Sequence, residues 1–275
     1  MQSVAQIHLT RYHKAEAPES VMDSLAVEEP MELQLLFEKN GATTNQSVSV
    51  TMRTPGQDEE LAAGFLFTEG ILQHPDQIDQ INLEGAGINT ILIRLSKGAS
   101  PILSKADRNF YTTSSCGVCG KSSIDAIKTV SAFSNLVDSL QVKSEVLRKL
   151  PESLLQQQAV FNSTGGLHAS ALFHPEGEFI TLREDVGRHN ALDKLIGNAF
   201  LQNNLPLSNH ILLLSGRASF ELVQKAAMAG IRVIAAIGAP SSLAVSLAED
   251  EGITLLGFLR EDRFNIYTHQ QRICL

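Results

Sequence analysis

From Ile211 to Phe258 the chain alternates short apolar runs with helical stretches, and no other feature narrows its folding options as much. Ile211-Leu212-Leu213-Leu214 has no polar face, so it predicts a strand buried on both sides. Ile231 to Ile237 and Ile253 to Phe258 predict two more strands. Phe220 to Ala229 is helical and ends at Gly230, and Ser241-Ser242 caps a helix reaching about Ala248. This alternation predicts βαβ units, that is, a parallel sheet with helices outside it.

Upstream, helical patterns cover 123–139 and 144–159. Gly165-Gly166 opens a turn before an apolar segment, Glu178 to Asp185 predicts a strand, and Asn190 to Phe200 predicts a helix. The first part of the chain reads differently. Met31 to Phe37 and Gln46 to Arg53 are strand-like around an Asn40-Gly41 turn. Asp58-Glu59-Glu60 places acids at the start of a helix running toward Phe67. Ile78 to Leu83 and Thr90 to Leu95 predict a hairpin, while residues 1–27 read as an arm or irregular lead-in. The expected fold class is α/β with an α+β N-terminal part. The expected division is an N-terminal domain over 1–110, a cysteine loop and connecting helix over 111–140, and a C-terminal domain over 141–275.

Of the 275 residues, 43% are hydrophobic, enough for a substantial core, and the net charge is −8, which argues against broad nucleic-acid binding. No apolar run approaches the roughly 20 residues that span a bilayer. Met1 to Tyr12 lacks a signal-peptide pattern, and three cysteines do not make a secreted disulfide framework. The cytoplasm is the expected compartment.

Ligands of open α/β sheets bind at the carboxyl ends of the strands. Three polar groups fall there: Ser215-Gly216-Arg217, Gly238 to Ser242, and Arg260-Glu261-Asp262-Arg263. Taken singly, each is an ordinary βα turn. Together, Arg217, Arg260 and Arg263 on one edge predict a phosphate-bearing ligand, since guanidinium binds phosphate bidentately.

Ser114-Ser115-Cys116-Gly117-Val118-Cys119-Gly120-Lys121 carries the chemistry. Two of the three cysteines are spaced C-x-x-C before a helical pattern, with Lys121 close by. A helix start and a cation both favour the reactive thiolate. A structural zinc site needs two more ligands, and Cys274 is a singleton at the C-terminus, so zinc would have to be shared between two chains. A thioredoxin-like pair belongs near the start of a small βαβ fold, which is the wrong context here. There remains a nucleophilic or sulfur-carrying cysteine with a close companion, which could resolve a disulfide, accept sulfur or help present it.

Arg183-Glu184-Asp185-Val186-Gly187-Arg188-His189-Asn190-Ala191-Leu192-Asp193-Lys194 is a dense polar run. It reads either as a solvated helix start, with Asp185 or Asn190 as its cap, or as side chains orienting one another in a site. His168, just after Thr164-Gly165-Gly166, shares that ambiguity.

These blocks, with Ser215-Gly216-Arg217 and Gly257 to Tyr267, resemble the formate dehydrogenase accessory sulfurtransferases, the FdhD family, over roughly residues 25 to 275. The resemblance implies a three-layer, cytidine deaminase-like C-terminal domain with a smaller, mainly antiparallel N-terminal one, and homodimers. It implies an enzyme that takes persulfide sulfur from a cysteine desulfurase and passes it to the molybdenum (or tungsten) bis-guanine-dinucleotide cofactor of formate dehydrogenase. By the same resemblance Cys116 is the persulfide carrier and Cys119 its partner. The resemblance also implies that Phe258, Leu259, Arg260, Glu261, Asp262 and Arg263 contact the cofactor, here Mo-bis(molybdopterin guanine dinucleotide) as bound acceptor, and Arg217 at the neighbouring strand end is expected to join that pocket. The protein itself holds no metal. Zinc-dependent deamination is not expected, because His168 is followed by Ala169-Ser170 where H-x-E would be needed. The alternative is a chaperone that binds the cofactor and carries no sulfur.

Overall fold

A computed structural model describes residues 2–82, 89–103, 133 and 139–275. The cysteine loop, including Cys116 and Cys119, lies outside the described residues, as do 83–88 and most of 123–139. The chain opens with β1 (Val4–Arg11) and β2 (Glu19–Ala26), an antiparallel hairpin. This corrects the expectation of an irregular arm. The hairpin is a mostly exposed ribbon with polar residues on both faces, so the hydrophobic alternation that marks a half-buried strand is weak. Ser3 anchors its base, with Oγ donating to the Pro55 carbonyl at 2.8 Å.

β3 (Glu29–Lys39) and β4 (Ala42–Arg53) pair antiparallel around Asn40-Gly41, both at positive φ. α1 (Asp58–Thr68) follows, then β5 (Ile78–Ile81) and β6 (Thr90–Leu95), which pair antiparallel as predicted. β6 also joins β3 in parallel, giving the order β4-β3-β6-β5. Met31, Leu33 and Leu35 point inward along β3 with a period of two.

β7 (Val142–Lys143) leads into α2 (Ser144–Gln157), whose Leu147, Leu150 and Leu154 make one buried stripe. α3 (Ala159–Thr164) is a separate turn closed by Gly165 at φ +66°. The remaining elements are β8 (His168–Phe173), β9 (Phe179–Asp185), α4 (Arg188–Leu201), β10 (Ile211–Leu214), α5 (Phe220–Met228), β11 (Val233–Ala236), α6 (Ser242–Asp250), β12 (Thr254–Gly257), β13 (Asn265–Ile266) and β14 (Ile273–Cys274). The six-stranded sheet has the order β13-β12-β11-β10-β8-β9. Only β10, β11 and β12 are parallel; β8, β9 and β13 run antiparallel at its flanks. The sheet is therefore mixed, with the predicted βαβ units at its centre.

The apolar runs bury both faces. Ile211, Leu213, Val233 and Ala235 face the layer that holds α2. Leu212, Leu214, Ile234 and Ala236 face the cluster of α4, α5 and α6. That second cluster continues through α1 into β3 and β6, so one core links the two sheets. α1 and α4 meet backbone to backbone. A Cβ on Gly64 would lie 1.9 Å from the Asp193 carbonyl oxygen, and one on Gly197 1.8 Å from that of Glu60. Only glycine permits this approach.

Candidate functional site

The strand ends of the six-stranded sheet form a continuous polar edge. Where β10 ends, Ser215 Oγ accepts from the Ala169 N–H at 2.8 Å and extends the contact with β8. Gly216 follows; a Cβ there would be 3.3 Å from His168 Nδ1. The Gly238 N–H donates to the Gly216 carbonyl at 2.8 Å, and a Cβ on Gly238 would press on the backbone of Gly216 and Arg217 at 2.9 Å. Ala218 and Pro240 bridge the same two loops. The turn after β12 docks in turn, because the Phe258 N–H donates to the Gly238 carbonyl at 3.0 Å. Backbone contacts thus lock three successive loops side by side.

The loop from Phe258 to Arg263 divides its labour. Phe258 sits at φ +54°, in the left-handed region, with 43% of its surface exposed. A bulky residue there carries strain of order 1–3 kcal/mol, which is typical of sites that present a side chain. Leu259 is fully buried and serves as the anchor. Arg260 Nη1 donates to the carbonyls of Ile237 at 2.8 Å and Leu259 at 2.7 Å, so part of this guanidinium clamps the loop. The Arg260 N–H closes the turn on the Arg263 carbonyl. Glu261, Asp262 and Arg263 are exposed, and Arg263 Nη1 has a loose ion pair with Asp262 at 3.7 Å. Arg217 is exposed two loops away on the same edge. The structure therefore places Arg217 and the Phe258 to Arg263 loop on one edge, two loops apart, and turns Leu259 inward. Cys116 and Cys119 lie outside the described residues.

The dense polar run splits into two kinds of residue. Asp185 is fully buried; its carboxylate accepts from the Thr54 N–H at 3.1 Å and the Gly187 N–H at 2.8 Å, and pairs with Lys194 Nζ at 2.8 Å. Asn190 Nδ2 reaches both Asp185 Oδ1 and the Met52 carbonyl, and Lys194 Nζ also donates to the Thr54 carbonyl. These residues fasten β4 to α4 and are committed to structure. Glu184 does likewise, accepting from the N–H groups of Val160 and Phe161 at the start of α3. A second buried pair, Asp193 with Lys225 at 2.9 Å, also engages Thr68. Burial opposes the charge of Lys225, but Asp193 and Glu69 outweigh it and hold the amine protonated.

His168, Arg188 and His189 are the other kind. His168 is half-buried at the start of β8; burial and then the Arg188 charge push its pKa down, against the pull of Asp185. It is a neutral imidazole at neutral pH. His189 Nε2 lies 3.4 Å from Ser219 Oγ and 3.9 Å from Glu221. Ser219 and Glu221 had no distinguishing sequence signal, since their relevance comes only from the meeting of α4 with α5. Among the described residues no three His, Cys, Asp or Glu side chains converge to hold a metal ion.

Comparison with known proteins gives a consistent result. Residues 27–274 match the model of the FdhD/NarQ family. The sulfur carrier protein FdhD of Mycolicibacterium paratuberculosis is 51% identical over 273 residues, covering 97% of this chain and 96% of that one. Its namesake from Saccharolobus solfataricus is 42% identical over 270 residues, with 98% of both chains covered. The crystal structure of a candidate formate dehydrogenase accessory protein from Desulfotalea psychrophila superposes with a TM-score of 0.74 at 21% identity, over 99% of this chain and 100% of that one, and shows a shared fold.

Proposed function

Since the chain belongs to the FdhD/NarQ family, we propose that it is a sulfur carrier serving formate dehydrogenase, with Cys116 as the carrying thiol. The observation that supports this most directly is near-full-length identity of 51% to a sulfur carrier protein, in a chain that holds a C-x-x-C pair in a Gly/Ser-rich segment. In this reading the Cys116 thiolate attacks the outer sulfur of a persulfide on a cysteine desulfurase. The donor's S–S bond breaks, the donor cysteine leaves as thiolate, and Cys116 keeps the outer sulfur and its proton as a persulfide. Cys119 is the companion that supports or resolves that species.

The acceptor is the molybdenum or tungsten bis-guanine-dinucleotide cofactor, a substrate here. The strand-end edge fits it chemically: Phe258 offers an exposed ring for stacking, and Arg217 and Arg263 offer exposed guanidinium groups for phosphate. Arg260 contributes mainly by holding the loop. The cytoplasm and a homodimeric state complete the proposal. The alternative is a cofactor chaperone that carries no sulfur.

The test is peptide mass spectrometry after incubation with a cysteine desulfurase and cysteine, without reductant. A gain of about 32 Da, one sulfur, is expected on the Cys116 peptide and is reversed by reductant. Cys274 is exposed and serves as the internal control for nonspecific modification. A Cys116→Ser variant that still activates formate dehydrogenase would establish the chaperone instead.

A further inference from the structure

The far end of the six-stranded sheet, away from the polar edge, carries two histidines side by side. β8 and β10 pair antiparallel with Phe173 opposite Ile211, so His174 and His210 are the next pair beyond the ladder. Cross-strand partners of this kind share a face, with Cβ atoms about 4.5–5.5 Å apart. Here the two rings meet, with centroids 5.6 Å apart and planes tilted by 38°. Both backbones are fixed. The His174 N–H donates to the Glu178 carbonyl at 2.9 Å in the turn to β9, and the His210 N–H donates to the Leu207 carbonyl at 3.3 Å just before β10.

The imidazoles themselves are not committed. Among the described residues neither ring makes a side-chain hydrogen bond or an ion pair. His174 is exposed and His210 half-buried, with its Nδ1 buried and unbonded, so a ligand would meet Nε2. Burial, then the neighbouring His174, lower the His210 pKa against the pull of Leu207, so this ring is neutral at neutral pH. A neutral imidazole is the form that ligates metal. The spacing also suits a shared ion: with nitrogen–metal bonds of about 2.0–2.1 Å, two rings on one tetrahedral ion have centroids roughly 5–6 Å apart. The same turn carries exposed Glu176 and Glu178, in a chain whose net charge is −8, so the surroundings favour a cation.

We propose that His174 and His210 form a two-imidazole site for a divalent transition ion of the zinc class, with water in its remaining positions. Two protein ligands make an exchangeable site, unlike the closed four-ligand site of a structural zinc. The ion ties the end of β8 to the start of β10. This departs from the expectation that the protein holds no metal. The two histidines are far apart in sequence and lack a ligand spacing, so only the strand pairing brings them into view.

Calorimetry with zinc chloride on the full chain tests this, in a Cys116→Ser/Cys119→Ser/Cys274→Ser background that removes competing thiols. One ion per chain should bind. His174→Gln and His210→Gln, each added to that background, should weaken binding by about tenfold or more. Zinc should raise the Tm of the thiol-free parent and not that of either histidine variant, because the ion held by both strands binds the folded chain. By NMR the His174 and His210 ring signals should move together on zinc addition, while those of His168, at the other end of β8, stay in place. A merely structural ring contact would leave zinc affinity unchanged in His174→Gln. If His210→Gln misfolds, His174→Gln, whose side chain is exposed, and the ring signals of the parent decide. Zinc bound only when the thiols are present, equal affinity in parent and His174→Gln, or ring signals unmoved by zinc would each overturn the proposal.

Discussion

Lys194 and Asp185 show how a single residue pair can be misread along the chain. In sequence they sit in a run that suggests a wet helix start or a reactive cluster. In the fold both are buried, 2.8 Å apart, and their other partners are on β4, far away in sequence. Sequence spacing cannot reveal such partners. Lys194→Met leaves the Asp185 charge buried with only hydrogen bonds to answer it, and urea unfolding should show a loss of about 3–5 kcal/mol. Asp185→Asn/Lys194→Met should recover a good part of that loss. His210 makes a second residue-scale prediction. Burial, then the nearby His174, push its pKa below the ordinary value. The unfolded chain therefore takes up this proton first as pH falls through about 6.5, so the contribution to stability is neutral above that pH and unfavourable below it. His168 has the same sign. His210→Asn should flatten the loss of unfolding free energy between pH 6.5 and 5, by at most about 1.4 kcal/mol per pH unit.

Among the elements, those that advertise themselves in sequence are those whose burial is complete or one-sided. Ile211–Leu214 forms a strand over the very residues of the apolar run, and α1 begins at the acidic triplet Asp58-Glu59-Glu60. The β1–β2 hairpin escaped because it packs little of its surface. The mixed sheet escaped in part because β8 and β9 form a hairpin whose place beside β10 depends on tertiary pairing. The crossing of α1 with α4 was invisible too, since Gly64 and Gly197 look like weak points within helices until the two backbones are seen to touch. Gly197→Ala should therefore cost at least the roughly 3 kcal/mol at the top of the usual overpacking range, measured by thermal or urea unfolding. Gly166→Ala, where a Cβ meets nothing nearer than 3.9 Å, is the matched control and should be nearly silent. On the far face of the sheet, Leu147→Ala should cost about 2–5 kcal/mol through the cavity left under α2.

For the whole molecule, the strand-end edge was legible as three groups of polar residues, and the structure adds that backbone contacts lock their loops together. The junction of α4 with α5 was not legible, because Ser219 and His189 become neighbours only after β10 threads the sheet. The sharing of one core between the two sheets has a consequence for how the protein is made. β3, β6 and α1 leave the ribosome well before α4, the helix that packs on α1. At about 5–20 residues per second, the wait between α1 and α4 is on the order of ten seconds. Throughout that time the glycine notch of α1, at Gly64, lacks the α4 backbone that docks into it. Nascent chains stalled before residue 188 should stay protease-sensitive and recruit holdases. Chains released with all 275 residues should lose both behaviours together, since synthesis of the second half is what completes the first.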